Sequence, residues 1–262
     1  MRKTVLASLL VLLCSAAGAK EKLPALELGA GLISLTIPDY RGSSRSSSYL
    51  VPAPYIKYRG ERFFIDGGAK GILFDRDDLL LTVSGNFTLP ADSDTPEREG
   101  MEELDAIIEI GPSLNYRFIN LANSTWSIDL PLRMAFTIEG NPDHIGQVFQ
   151  PRITWRKSIT RLEQWNLRFN FGPVYSSAAY HQYFYSVDAD QALPSRPAFD
   201  ADGGYSGLRT EFSFSRHFGK IWLGGFLRFD DLNHSVIDES PLVSEPESWL
   251  GGFGLSWVFH QK

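Results

Sequence analysis

The sequence predicts an all-β chain: a transmembrane antiparallel up-and-down β-barrel of the outer-membrane type, with about twelve strands. Three observations predict it. Apolar and polar residues alternate with a period of two, the alternating stretches run 10–13 residues, and the tryptophans gather near their ends. From Trp126 to Phe136 every even position is apolar: Trp126, Ile128, Leu130, Leu132, Met134 and Phe136. At 43% hydrophobic content, chance produces such a run roughly once in 150 trials. The pattern recurs through Ala106, Ile108, Ile110, Pro112, Leu114, Tyr116 and Phe118, and again through Trp165, Leu167, Phe169 and Phe171. A helix, with its period of 3.6, keeps none of these sets on one face. Strands of soluble sheets have a mode near 5–6 residues, whereas a tilted membrane strand needs about 9–11.

Residues 1–19 read as a signal peptide. Arg2 and Lys3 form a basic start, Val5 to Leu13 an apolar stretch, and Ala17-Gly18-Ala19 a cleavage site. The single cysteine, Cys14, lies in this segment, and Leu13 before it is too large for a lipidation motif. Residues 20–262 form one barrel domain without a thiol, and loss of two basic residues takes the net charge from -6 to -8. An exported chain without disulfides needs another means of holding itself together, and a closed hydrogen-bonded sheet supplies it.

Strands are expected near 26–36, 50–58, 62–74, 78–88, 105–118, 124–138, 146–158, 163–176, 204–216, 219–230 and 249–259. A single-chain bacterial barrel has an even count with both ends on one side. The aromatic run Tyr183 to Val187 is therefore assigned as the twelfth strand, with ten as the alternative count. Arg59-Gly60-Glu61 and His217-Phe218-Gly219 are tight turns, and 37–49, 89–104, 188–203 and 231–248 are long polar loops. This parity places 89–104 on the periplasmic side. The last strand carries Gly254-Leu255-Ser256-Trp257-Val258-Phe259, a Gly-x-x-aromatic-x-aromatic ending, with His260-Gln261-Lys262 after it.

Several function classes are excluded or unsupported. A pI near 5.4 argues against nucleic acid, which wants a basic surface. No run of about 18 apolar residues supplies a membrane helix. No histidine is spaced as a metal pair, and Gly204-Tyr205-Ser206-Gly207 lacks the spacing of a nucleophile elbow. Asp92-Ser93-Asp94 and Asp200-Ala201-Asp202-Gly203 do not complete a calcium-loop series. No catalytic, cofactor or metal site is predicted, and nothing demands an enzyme.

If the apolar phase meets outer-membrane lipid and lipopolysaccharide, the polar phase lines a lumen. That phase holds Glu27, Glu109, Asp129 and Glu211 with Arg117, Arg133, Arg152, Arg156, Arg168, Arg209 and Arg228. Seven arginines against four acids suit an internal ion-pair network or a pore with weak anion preference. Trp126, Trp155, Trp165, Trp249, Trp257 and Phe259 are expected at the water–lipid interfaces, and Trp222 is the one tryptophan off the apolar phase.

Seven short segments carry a resemblance. They are Pro38-Asp39-Tyr40-Arg41-Gly42-Ser43 with Pro52-Ala53-Pro54-Tyr55-Ile56; Gly100-Met101 with Leu104-Asp105; Glu109-Ile110-Gly111-Pro112; Tyr183-Phe184-Tyr185-Ser186-Val187; and Asp238-Glu239-Ser240-Pro241-Leu242-Val243. In this order, with the last strand, they resemble the MipA/OmpV family of outer-membrane proteins across nearly the whole mature chain. Ser186 stands where such proteins tend to have glycine, and the tail after Phe259 is also unusual. The resemblance implies a non-enzymatic outer-membrane scaffold tethering a murein lytic transglycosylase to a bifunctional penicillin-binding protein. Other members are described as porin-like, or as adhesion and osmoregulation proteins.

Overall fold

Alternation of side chains commits the chain to extended backbone, and hydrogen bonding between successive hairpins does the rest. The computed structural model describes residues 24–65, 69–90, 95–138, 140–159 and 165–262, so the predicted signal peptide lies outside it. The strands are β1 (Leu26–Pro38), β2 (Ser46–Arg59), β3 (Phe63–Ile65), β4 (Ala69–Arg76), β5 (Leu79–Thr88), β6 (Ile107–Leu121) and β7 (Ser124–Thr137). There follow β8 (His144–Phe149), β9 (Arg152–Ile159), β10 (Trp165–Ser176), β11 (Gly204–Phe218), β12 (Ile221–Asp231) and β13 (Glu247–Gln261). Successive strands pair antiparallel except β8 and β9, and β13 pairs back onto β1 from Glu27↔Gln261 to Thr36↔Gly251, which closes the sheet.

Both β8 and β9 lie against β7, so they form one stave interrupted at Gln150-Pro151. Proline cannot donate to a ladder, and a break falls naturally there. The wall therefore has twelve staves.

Twelve is reached by a different route from the one expected. Tyr183 to Val187 supplies no stave: Ala178–Tyr185 is a helix, α1, whose first turn is capped by Ser177 Oγ accepting from Tyr180 N at 3.4 Å. Aromatic residues suited to a pleat are here wrapped around a helix because both turns bury rings in a core remote in sequence. The missing stave comes from 62–74, which divides into β3 and the start of β4, paired at Phe63↔Gly71 and Phe64↔Lys70. This extra reversal also overturns the side assigned to 89–104. That loop stands at the same end as 39–45, 177–203 and 232–246, while the short turns and the paired ends Leu26 and Lys262 stand at the other.

Side chains of the apolar phase point away from the enclosed interior. Leu132 and Met134 are 46% and 51% exposed in β7, whereas Ala135, on the inward phase, is 0% exposed. A belt of exposed leucine, isoleucine and phenylalanine encircles the sheet, far larger than the apolar patches of soluble monomers. This is the lipid-facing band of a transmembrane barrel. No described helix is long and apolar enough to cross a membrane.

The apolar core of the molecule is elsewhere. Tyr40, Met101, Leu104, Phe184, Tyr185, Val187, Ile237 and Leu242 pack together with Ile107, Ala135 and Ile145 at the upper barrel wall. The long loops thus fold into a cap with its own hydrophobic centre.

Candidate functional site

A cavity of about 1520 Å³ runs inside the barrel beneath this cap. Register fixes which residues face it, because cross-strand partners share a face. The predicted polar residues share the inward phase by register, seven of them line the cavity while Arg117, Asp129, Arg133 and Arg152 do not, and most are engaged. Glu27 meets Arg59 Nη1 at 2.6 Å, accepts from Tyr55 Oη at 2.9 Å and lies 3.4 Å from His217 Nε2. Glu109 pairs with Arg133 at 3.5 Å. Asp129 lies 3.6 Å from both Arg152 and Arg156, and also accepts from Thr154 Oγ1 at 2.8 Å, Ser127 Oγ at 3.0 Å and Asn115. Glu211 accepts from Asn170 Nδ2 at 3.0 Å. Arg117 sits at the short-turn rim beside Asp75 at 3.4 Å.

Arg209 and Arg228 converge on a residue the sequence reading passed over. Asp230 is 2% exposed and holds Arg209 Nε at 2.7 Å, Arg228 Nε at 2.8 Å and Arg41 Nε at 3.1 Å. The signal was present, since Asp230 continues the inward phase of Arg228. Arg41 comes from the loop after β1 and had no phase to betray it. Arg168 faces Arg156 across the β9–β10 ladder and has no hydrogen bond or ion pair among the described residues.

The interior is not polar all round. On β1 the inward phase is Ile33, Leu35 and Ile37, and on β12 it includes Trp222 and Phe226. Alternation misreads this side because both phases of β1 are apolar. Gly252 on β13 keeps the wall smooth: a Cβ there would come within 2.5 Å of Leu35 Cδ2 and 2.7 Å of Phe226 Cε1. Trp222 leans on Tyr55 with ring centroids 5.2 Å apart.

The predicted interface aromatics point outward. Trp126 and Trp155 pair at 6.2 Å, Trp155 donates to Ser124 Oγ at 3.0 Å, and Trp165 stacks beside Phe214 at 5.9 Å. Trp257 and Phe259 pair at 5.8 Å toward the short-turn rim, while Trp249 meets Phe229 at 4.6 Å toward the cap.

The cap is joined by polar contacts between segments far apart in the chain. Tyr40 Oη donates to Leu242 O at 2.8 Å, Arg98 to Phe184 O at 3.1 Å, and Tyr185 Oη to Arg41 O at 3.0 Å. Ser240 Oγ donates to Tyr185 O at 2.7 Å, and Tyr180 Oη reaches down to Glu109 at 3.2 Å. Most of the segments that carry the family resemblance therefore meet in one place, and their contribution there is to build the cap. Burial pushes the Tyr185 hydroxyl up to about 12 and raises Tyr40 as well. Burial opposes ionisation of Glu97, but hydroxyls from Ser244 and Ser44 outweigh it and hold the carboxyl below its usual value. His181 is fully buried, with Nδ1 2.5 Å from Asp202 O and Nε2 2.5 Å from Ser206 Oγ. A carbonyl only accepts, so Nδ1 carries the proton; burial lowers the imidazole's proton affinity.

No group of three or more potential metal ligands exists among the described residues. Asp92 and Asp94 lie outside them. His181 and Ser206 form a dyad, but among the described residues a backbone carbonyl rather than an acid orients the imidazole, and the side chain is fully buried.

Comparison with known proteins gives a family and a set of distant folds. The family described as "MltA-interacting protein MipA" matches residues 28–259. No curated protein matches. Among solved structures, a bacterial polysaccharide outer membrane secretin is similar with a TM-score of 0.43 and 9% identity, over 90% of this chain and 99% of that one. The toluene transporter TodX of Pseudomonas putida is similar with a TM-score of 0.31 and 10% identity, over 92% and 69%. The toluene transporter TbuX of Ralstonia pickettii reaches 0.24 and 8%, over 91% and 70%. At such scores no function passes from those proteins to this chain.

Proposed function

The chain belongs to the MipA family, and from that premise we propose that it is a non-enzymatic outer-membrane barrel that scaffolds peptidoglycan-remodelling enzymes. The partners under this reading are a murein lytic transglycosylase and a bifunctional penicillin-binding protein. The carrying observation is the family match over residues 28–259. In the usual outer-membrane arrangement long loops face outward and short turns face the periplasm. The cap is then external, and the rim formed by turns near 60–62, 77–78, 122–123 and 219–220 is the docking face. Two features of the interior are consistent with this. The loops roof the lumen, and its acids are engaged by basic or polar groups.

The test is co-purification. An affinity-tagged barrel extracted in mild detergent retains a lytic transglycosylase under this reading, and substitutions along the short-turn rim release it without unfolding the barrel. Repeated extraction with no such partner rejects the scaffold.

A second reading, a porin-like small-solute channel with weak anion preference, is favoured by the excess of arginine in the cavity wall. Planar-bilayer recording decides it: the channel shows discrete open levels that favour chloride over potassium, and a silent bilayer rejects it.

A further inference from the structure

The cavity has two unlike sides. One is cationic: Arg156 and Arg168 line it from β9 and β10, facing each other in register, with Arg152 on the same face of β9. Asp129 is the acid that Arg152 and Arg156 share, which leaves this cluster with surplus positive charge. Arg168 has no partner among the described residues. The other side is apolar, built from Ile33, Leu35, Trp222 and Phe226 around Gly252. A guanidinium that lines a cavity with no anion of its own draws one from solution, and an apolar wall facing an aqueous cavity gains from being covered.

We propose that this cavity binds a small amphiphilic anion. Its carboxylate or phosphate head lies against Arg156 and Arg168, and its alkyl or aryl tail covers Ile33, Leu35 and Phe226. Neither half of such a molecule would find its match in a uniformly polar lumen. From Ser46 to Pro54 the β2 edge opposite β1 has no strand partner among the described residues, and under this proposal the tail enters from the membrane there. This site is independent of the scaffold reading, which concerns the rim.

Trp222 is the reporter, because the other five tryptophans face outward. The barrel is reconstituted in phosphatidylcholine nanodiscs and titrated with bromoundecanoate, whose bromine quenches indole on contact. The expected result is a saturable quenching component present in wild type and absent from Trp222→Phe. Arg168→Gln weakens it about tenfold, as loss of a charge-assisted hydrogen bond does. Bromoundecanol, which has the tail without the charge, gives no saturable component, and inorganic phosphate does not compete. Phosphatidylglycerol in the disc distinguishes sources: if it displaces the probe, a membrane lipid supplies the anion, and if it does not, a free amphiphile does. Heat-modifiable gel migration verifies that each variant is a folded barrel, and Arg156→Gln repeats the charge test in a chain that keeps Trp222. The proposal is overturned if quenching is non-saturable and equal in wild type and Trp222→Phe, or if both arginine variants bind the probe as wild type does.

Discussion

Replacing Asp230 with asparagine removes one charge and keeps the shape of the side chain. Three guanidinium groups surround that carboxylate at 2.7, 2.8 and 3.1 Å, and its side chain is 2% exposed. Solvent therefore screens little of the interaction. Taking away one partner of a buried ion pair costs roughly 3–5 kcal/mol, mostly as the penalty of the charges left behind. Here Arg41, Arg209 and Arg228 would remain together with only Glu109 and Glu211 nearby to offset Arg209 and Arg228, so the middle of that range is expected, about 10³-fold in the folding equilibrium. Arg41 belongs to the loop between β1 and β2, whose neighbour Tyr40 sits in the cap core. The damage should therefore reach the cap before the sheet. Urea unfolding in phosphatidylcholine vesicles, followed by tryptophan fluorescence, measures the loss, and limited proteolysis of 232–246 reads the cap. Asp230→Asn combined with Arg209→Leu should recover part of the stability by removing one stranded charge. If Asp230→Asn unfolds within about 0.5 kcal/mol of wild type and its cap resists protease equally, the idea that this carboxylate locks loop to barrel is wrong.

Three further outcomes are expected. Gly146 has φ +128°, and a Cβ there would lie 2.6 Å from Tyr180 N and against Ser177 Oγ, so Gly146→Val should unseat α1 and expose the cap to protease while heat-modifiable migration persists. Burial depresses His181 in the folded state, so its contribution to cap stability is present above the unfolded value near 6.5 and lost as pH falls below it; cap protection from protease should drop between pH 6.5 and 5, and His181→Gln should flatten that dependence. Leu132 faces outward in mid-strand, so Leu132→Arg should cost about 2–4 kcal/mol in vesicle refolding, and a neutral result would remove the lipid from that face.

Much of this barrel is written in local pattern, and some of it is not. The period-two runs of β6, β7 and β10 force both the strands and the side each residue faces, since a pleat leaves no other choice. Even the charged positions Glu109, Asp129, Arg152 and Arg168 follow from counting by twos. Counting fails on β1, where Leu32 and Ile33 are both apolar and the phases carry no contrast. Contacts between distant loops also escape it: nothing near Arg41 in the chain announces Asp230, and nothing near Tyr183 announces that its aromatic run will coil into a helix against Tyr40 and Leu242. Sequence alone thus determined a closed sheet with a greasy outside, because alternation is a property of neighbours. Tertiary structure alone decided the cap, the β3–β4 reversal that sets which loops share an end, and the two-faced cavity, because each depends on residues brought together only when the sheet closes.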